Sequence, residues 1–409
     1  MSEPSLEPKS TTLAEVMSLM RRNQVRSGDF TYTRPAPMTY EQQWLWDSCF
    51  HALIYAHFDP NQARQELLSL LHPPGFPDSR MIPHMIYWTG GGLELWGYDH
   101  VSFLTQPPMV ADTALRLHRR DPNVPFLRRI YSRLQQHYEW LNDARDPDGD
   151  GLVSIIHPWE SGWDASPRWD GALNLIRPTP HETKAARLQL AKELRENGTD
   201  AREICETDRF VIEPVDFNSI YAVNLSALAD IAGILGRDQD AAIYKARAVK
   251  TAEAIRNRMW DPQTNRFCDL AGEGEKPIRV STPAALFPLF NGIASDSQLE
   301  HCLRQFHAEF SEPFPVPTVS PREASYSPDQ YWRGSVWLSV NWFIHQALLS
   351  RNLSSEARML ATKSRHLVDI GGFFEYYDSR TGDGLGAADQ SWAGLVIEFG
   401  PSGNLVGGR

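Results

Sequence analysis

Residues 218–236 read NSIYAVNLSALADIAGILG, and the spacing of their apolar side chains decides the fold class. Ile220, Val223, Leu228, Ile231 and Leu235 recur at intervals near 3.6 residues, so they share one face of a helix, and Gly236 follows as a stop signal. Over 239–259 the pattern repeats: Ile243, Ala246, Val249, Ala252, Ile255 and Met259 fall on one face and Lys, Arg and Glu on the other. The expectation is an antiparallel helix pair.

Working outward, further helices are expected near 11–26, 47–58, 61–71, 107–120, 124–143, 180–196, 283–292, 296–310, 333–350, 354–370 and 389–399, whereas the period-two alternation of strands is scarce. The stretch 335–349, SVWLSVNWFIHQALL, is apolar on nearly all sides, while 124–143 carries a charged face. Two burial classes imply two layers. With no Ser/Gly-rich or charged linker to divide them, the helices point to one all-α domain over 1–409, a toroid whose inner ring is wrapped by an outer one. Residues 1–10 and 401–409 are expected to be flexible tails. An open solenoid would show a fixed repeat of about 20–50 residues, and no such period is found.

Composition narrows the function. The formal charge is −11 and Lys and Arg form no cluster, so the electrostatic footprint of a nucleic-acid binder is missing. No apolar window reaches the length of a membrane span, and Glu15 interrupts the one candidate signal-peptide core. Cys49, Cys205, Cys268 and Cys302 are isolated, without C-x-x-C spacing, which fits a reducing cytoplasm. The 13 Trp and 13 Tyr stand largely beside Asp, Glu, Gln or Gly. Sugar sites use such neighbours, although most of these rings are expected to fill the core.

Polar and aromatic clusters recur at expected helix starts: Trp44, Trp46 and Asp47; Gln106; Asp216 and Asn218; Tyr331 and Trp332; Asp389, Gln390 and Trp392. If those helices run the same way, the clusters line one cleft. Asp216, Asn218 and Asp389 are equally well read as helix caps, but Trp and Gln are not cap residues. Two loops stand out. Residues 157–170, HPWESGWDASPRWD, hold Glu160 and Asp164 among tryptophans, where lost hydration raises a carboxyl pKa and suits either one to be a general acid. Residues 372–390, GFFEYYDSRTGDGLGAADQ, hold Glu375 among Phe and Tyr, followed by a Gly-rich turn. Two carboxyl groups are what glycoside hydrolysis requires.

Other motifs count for less. The run 146–151, DPDGDG, copies the first half of a calcium loop, yet position twelve is His157 rather than Glu. The 13 His show no metal-ligand spacing and G-x-S-x-G is absent, so no metal centre, cofactor or serine nucleophile is expected.

At four segments the chain resembles glycoside hydrolase family 63, and within it the short bacterial mannosylglycerate and glucosylglycerate hydrolases. They are QWLWD at 43–47, WESGWDASPR at 159–168, DQYWRGSVW at 329–337 and FEYYDSRTGDG at 374–384. The resemblance implies an (α/α)6 barrel, inversion at the anomeric carbon, Asp164 as general acid and Glu375 as general base. It places Trp46, Asp47, Trp159, Trp337 and Gln390 around the cleaved sugar, with Trp44 beside them, and Tyr331, Trp332 and Gln106 nearer the leaving group. Glu160 becomes a supporting residue. An Arg that would hold a glycerate carboxylate is not identified by motif; Arg209, Arg322 and Arg333 are the candidates.

The expected partner is therefore a small glycoside, with a homo-oligomer left open. The competing readings are a trehalase-like hydrolase of disaccharides, a different enzyme on the same barrel, and a sugar-binding protein that has lost catalysis. Segments 311–330 and 373–386 are candidate mobile covers.

Overall fold

In the computed structural model, which describes residues 11–74, 80–206, 209–272, 274–290 and 292–399, the expected helix pair is Val215–Ile234 and Asp238–Arg258. The two pack along their lengths, and the first is buried on nearly every side. The second buries the C-terminal end of its expected face, Ile255 and Met259, but its inward side is otherwise shifted from the one its apolar residues suggest. Tyr244, Ala248, Thr251 and Ile255 are buried, whereas Ile243 and Val249 are 42% and 50% exposed. Small Ala and Thr side chains allow close helix approach, and the buried Tyr244 reaches Glu139 of Val124–Arg145 with its hydroxyl.

Helix Leu45–Tyr55 packs against Val110–Arg120, which packs against Val215–Ile234. That helix meets the 3-10 segment Pro283–Leu289, then come Leu338–Ser350 and the 3-10 segment Ser391–Phe399, which returns to Leu45–Tyr55. Each of these six has a second element on it: Pro60–Leu71, Val124–Arg145, Asp238–Arg258, Asp296–Gln305, Ser354–Gly371 and Leu13–Asn23, in the same order. All eleven residues of Leu45–Tyr55 are buried. Starts are fixed locally: Thr12 with Glu15, Thr179 with Glu182 and Ser295 with Gln298 form reciprocal capping boxes.

Two expected α-helices, 283–292 and 389–399, are 3-10 in character. Pro288 cannot donate the helical N–H bond. Gly394 lies so close to Val16 and Ile54 that an added Cβ would come within 3.1–3.2 Å of them. The strands are two to five residues long and pair antiparallel, so they decorate the helical layers. Among the described residues no helix is long and apolar enough to cross a membrane. Cys49, Cys268 and Cys302 are buried free thiols. The expected tails, 1–10 and 401–409, lie outside the described residues.

Candidate active site

Glu375 stands on the strand Phe374–Tyr377, paired with Gly384–Ala388 in a hairpin whose register shifts between Phe374 and Tyr376. The irregularity lets the opposite strand fold over the carboxylate: the Ala387 N–H donates to Glu375 Oε2 at 3.0 Å, while the Tyr40 hydroxyl donates to Oε1 at 2.8 Å. Burial raises the Glu375 pKa, and those two donors oppose the rise. Gly386 makes the approach possible. It has φ +74°, and a Cβ there would lie 2.5 Å from Glu375 Oε2. Gly386→Ala is therefore expected to lower kcat by about 10–100-fold through a displaced carboxylate, with a stability loss of about 1–3 kcal/mol; steady-state kinetics and urea unfolding check both.

Asp164 follows two tight turns, the 3-10 segment Pro158–Ser161 and Gly162, whose φ is +76°. An added Cβ at Gly162 would lie 2.7 Å from the Trp46 ring, so the loop is pressed onto the start of Leu45–Tyr55. The Asp164 carboxylate accepts from the Tyr331 hydroxyl at 3.2 Å, and its backbone carbonyl accepts from Arg187 Nη1 at 3.0 Å. Burial pushes its pKa up to about 7, with Glu375 adding to the rise and Arg187 and Tyr331 opposing it. Asp47 lies in the same field: burial, then the charges of Glu375 and Asp164, hold it well above the usual carboxylate range. Three carboxyl groups thus share one region of low dielectric.

Aromatic residues wall this region. Trp337 stacks on Trp332 at 3.6 Å and on Tyr376 at 4.9 Å, and Trp332 also stacks on Trp163 at 5.3 Å. The ring faces of Trp332 and Trp337 are therefore covered by protein, which leaves them as supporting walls rather than platforms for a sugar face. Trp46 meets Trp392 edge-on at 5.7 Å, and its backbone N–H donates to Gln106 Oε1. Trp44 sits against Tyr40 and His84, and Trp159 against His84 and Trp96. Three buried polar atoms here, Trp44 Nε1, Trp332 Nε1 and Gln390 Oε1, have no hydrogen-bond partner among the described residues. Such atoms are costly unless a ligand's hydroxyls meet them.

Glu160 is fully buried, paired with Arg145 at 2.8 Å and bonded by the Ile156 and Thr105 N–H groups, so it braces the loop and has no route to a substrate. Asp216 and Asn218 are not caps. Asp216 pairs with Arg168 at 2.9 Å, and the Asn218 amide bonds both the N–H and the carbonyl of Val153, while Pro214 occupies the cap position. Of the arginines, Arg333 forks onto Asp170 and Arg322 is exposed beside Glu309. Neither is available at the cleft.

Tyr40 and Arg187 escaped the sequence reading. Each lies in a segment without unusual composition, and only the tertiary fold brings Tyr40 to Glu375 and Arg187 to Asp164.

The comparisons fit this geometry. A family model described as the mannosylglycerate hydrolase MGH1-like glycoside hydrolase domain matches residues 40–393. The mannosylglycerate hydrolase of Thermus thermophilus is 31% identical over 91% of this chain and 97% of its own length. The glucosylglycerate hydrolase of Mycolicibacterium hassiacum is 26% identical over 97% and 98%. A crystal structure of the family 63 mannosylglycerate hydrolase from Thermus thermophilus, in complex with Tris and D-glycerate, superposes with a TM-score of 0.85 at 31% identity, covering 95% of this chain and 99% of that one. A match of this extent means that the protein belongs to the mannosylglycerate hydrolase MGH1-like family of glycoside hydrolases.

Proposed function

We propose that this chain is an inverting exo-acting hydrolase of small hexosyl conjugates of glycerate, mannosylglycerate or glucosylglycerate, built as a single (α/α)6 catalytic domain. The succession of six inner segments, each backed by an outer helix, supports that architecture. The reading rests on one arrangement: Asp164 is bonded by the Tyr331 hydroxyl and Glu375 by the Tyr40 hydroxyl and the Ala387 N–H, and the charge of Glu375 adds to the rise of the Asp164 pKa. Asp164, with its pKa pushed up to about 7, holds a proton in a large share of molecules at neutral pH and acts as general acid toward the leaving oxygen. Glu375, whose ionised form is favoured by the Tyr40 hydroxyl and the Ala387 N–H against the cost of burial, takes a proton from the attacking water. Asp47, Trp46, Trp44, Trp159 and Gln390 hold the sugar. Gln106 orients the backbone of Trp46, and Trp332 and Trp337 keep the wall rigid.

Arg187 is our candidate for the glycerate carboxylate. Its Nη1 is 3.0 Å from the Asp164 carbonyl, and its Nε is buried with no partner among the described residues. Arg187→Met is expected to raise KM for a glycerate conjugate about 10–100-fold but to leave the neutral glycerol conjugate within about threefold. Because Arg187 also lowers the Asp164 pKa, the alkaline limb of kcat/KM should move upward in the variant. In the unaltered protein that limb is expected near pH 7, and the acid limb above the ordinary Glu value.

The test of substrate class is a panel of mannosylglycerate, glucosylglycerate, trehalose and a kojibiose-type disaccharide. The glycerate conjugates should lead in kcat/KM by at least about tenfold. A preference for trehalose would favour the disaccharidase reading, and tight binding without turnover would favour a sugar-binding protein.

A further inference from the structure

Away from the cleft, the turn 146–151 gathers acids that the reaction does not use. Carboxylate oxygens of Asp146, Asp148 and Asp150 lie within 4.8 Å of one another, and those of Asp150, Glu213 and Glu275 do likewise. Asp150 joins the two triplets, so three separate segments deliver five acids to one place. Glu213 is only 7% exposed, and its Oε2 has no hydrogen-bond partner among the described residues. The same holds for Asp146 Oδ1 at 8% exposure and for Ser154 Oγ at 2%. Asp148, Ser154, Glu213 and Glu275 line a cavity of about 230 Å³.

The nearby cations do not balance this charge. Arg258 pairs with Asp150 at 2.9 Å and with Glu275, while Lys250 Nζ is held by the Gly149 carbonyl at 2.6 Å. Arg202 lines the cavity rim.

We propose that this cluster is a calcium site, with Asp146, Asp148, Asp150 and Glu213 as its carboxylate ligands and Glu275 and Ser154 Oγ at its edge. Calcium binds hard oxygens at about 2.3–2.6 Å, so two of its ligand oxygens stand up to about 5 Å apart, whereas magnesium demands a tighter octahedron. The glutamate that the turn lacks at position twelve comes from Glu213, brought alongside by the backbone pairing of Ile155 with Ile212. His157 itself is engaged elsewhere, on the Arg187 carbonyl. Calcium would staple this turn to the start of Val215–Ile234, upstream of the loop that carries Asp164. Its role is structural.

The test is calorimetry and thermal melting of the chelator-treated full chain with CaCl₂ or MgCl₂. One Ca²⁺ should bind per chain, at least about tenfold more tightly than Mg²⁺, and saturation should raise Tm by about 2–5 °C. Asp148→Asn changes an exposed acid, so it should fold with the same chelated Tm and bind Ca²⁺ at least about tenfold more weakly; Glu213→Gln should weaken binding likewise. No heat and no Tm shift at about 5 mM Ca²⁺, or undiminished binding by Asp148→Asn, would overturn the site. Equal affinity for Mg²⁺ would overturn the calcium assignment.

Discussion

Asp164→Asn should lower kcat on a glycerate conjugate by about 10³–10⁴-fold, because an amide cannot protonate the leaving oxygen. The same change should stabilise the fold at alkaline pH. Asp164 has a folded pKa raised to about 7 from 3.8, so its contribution to stability is full at low pH and is lost as pH rises through that interval. Near pH 8 the buried charge costs on the order of 2 kcal/mol after allowance for its partly open side; Asn removes that cost. Urea unfolding at pH 5 and pH 8 separates the outcomes. The variant's advantage over the parent should be small at the lower pH, where the parent's carboxyl is still protonated in the fold, and larger at the higher one. A variant that is inactive and equally destabilised at both would mean that Asp164 holds the loop rather than the proton.

Arg168→Ala should destabilise the chain by about 3–5 kcal/mol, the largest structural effect expected of a single substitution near the cleft. The guanidinium is 1% exposed and lies 4.7 Å and 4.3 Å from the Trp163 and Trp169 ring centroids. It forks onto Asp216 with two bonds of 2.9 Å and reaches Asp269 at 3.2 Å. Asp269 in turn accepts the Val215 N–H, so one residue ties the acid-bearing loop to the beginning of an inner helix. Without it two carboxylates stay buried and unpaired. Burial already pushes Asp269 up to about 6 against the pull of Arg168, and without the guanidinium it would rise further, so the deficit should be larger at pH 8 than at pH 5. Arg168→Lys should rescue little, because an ammonium cannot fork. A pH-independent loss would point to packing against the tryptophans instead of charge.

The helices were legible because burial on one face leaves a 3.6-residue period that no other element mimics. What the period leaves open is which face wins. In Asp238–Arg258 the inward side is chosen by Tyr244, Ala248 and Thr251, whose value depends on the shape of the neighbouring helix. Prolines and close-packed glycines converted two inner segments to 3-10 geometry, a tertiary effect invisible to periodicity. At the site, Asp164 and Glu375 could be singled out because a carboxylate among aromatics is expensive without a use. Between Glu160 and Asp164 composition alone could not choose; the resemblance did, and Arg145 is the physical reason. Tyr40 was hidden by distance: its partner Glu375 lies 335 residues away. The motif around Trp332 and Trp337 marked both as candidates, but their mutual stacking, which covers their faces, was not legible.

Following the first-formed sugar by ¹H NMR before it mutarotates shows whether Asp164 and Glu375 work as acid and base around a water molecule. Hydrolysis of a glycerate conjugate should release the anomer opposite to that of the substrate, and Glu375→Gln should abolish its formation. Release of the same anomer would make Glu375 a nucleophile, or exclude it from the chemistry, and would contradict its assignment as the base that activates water.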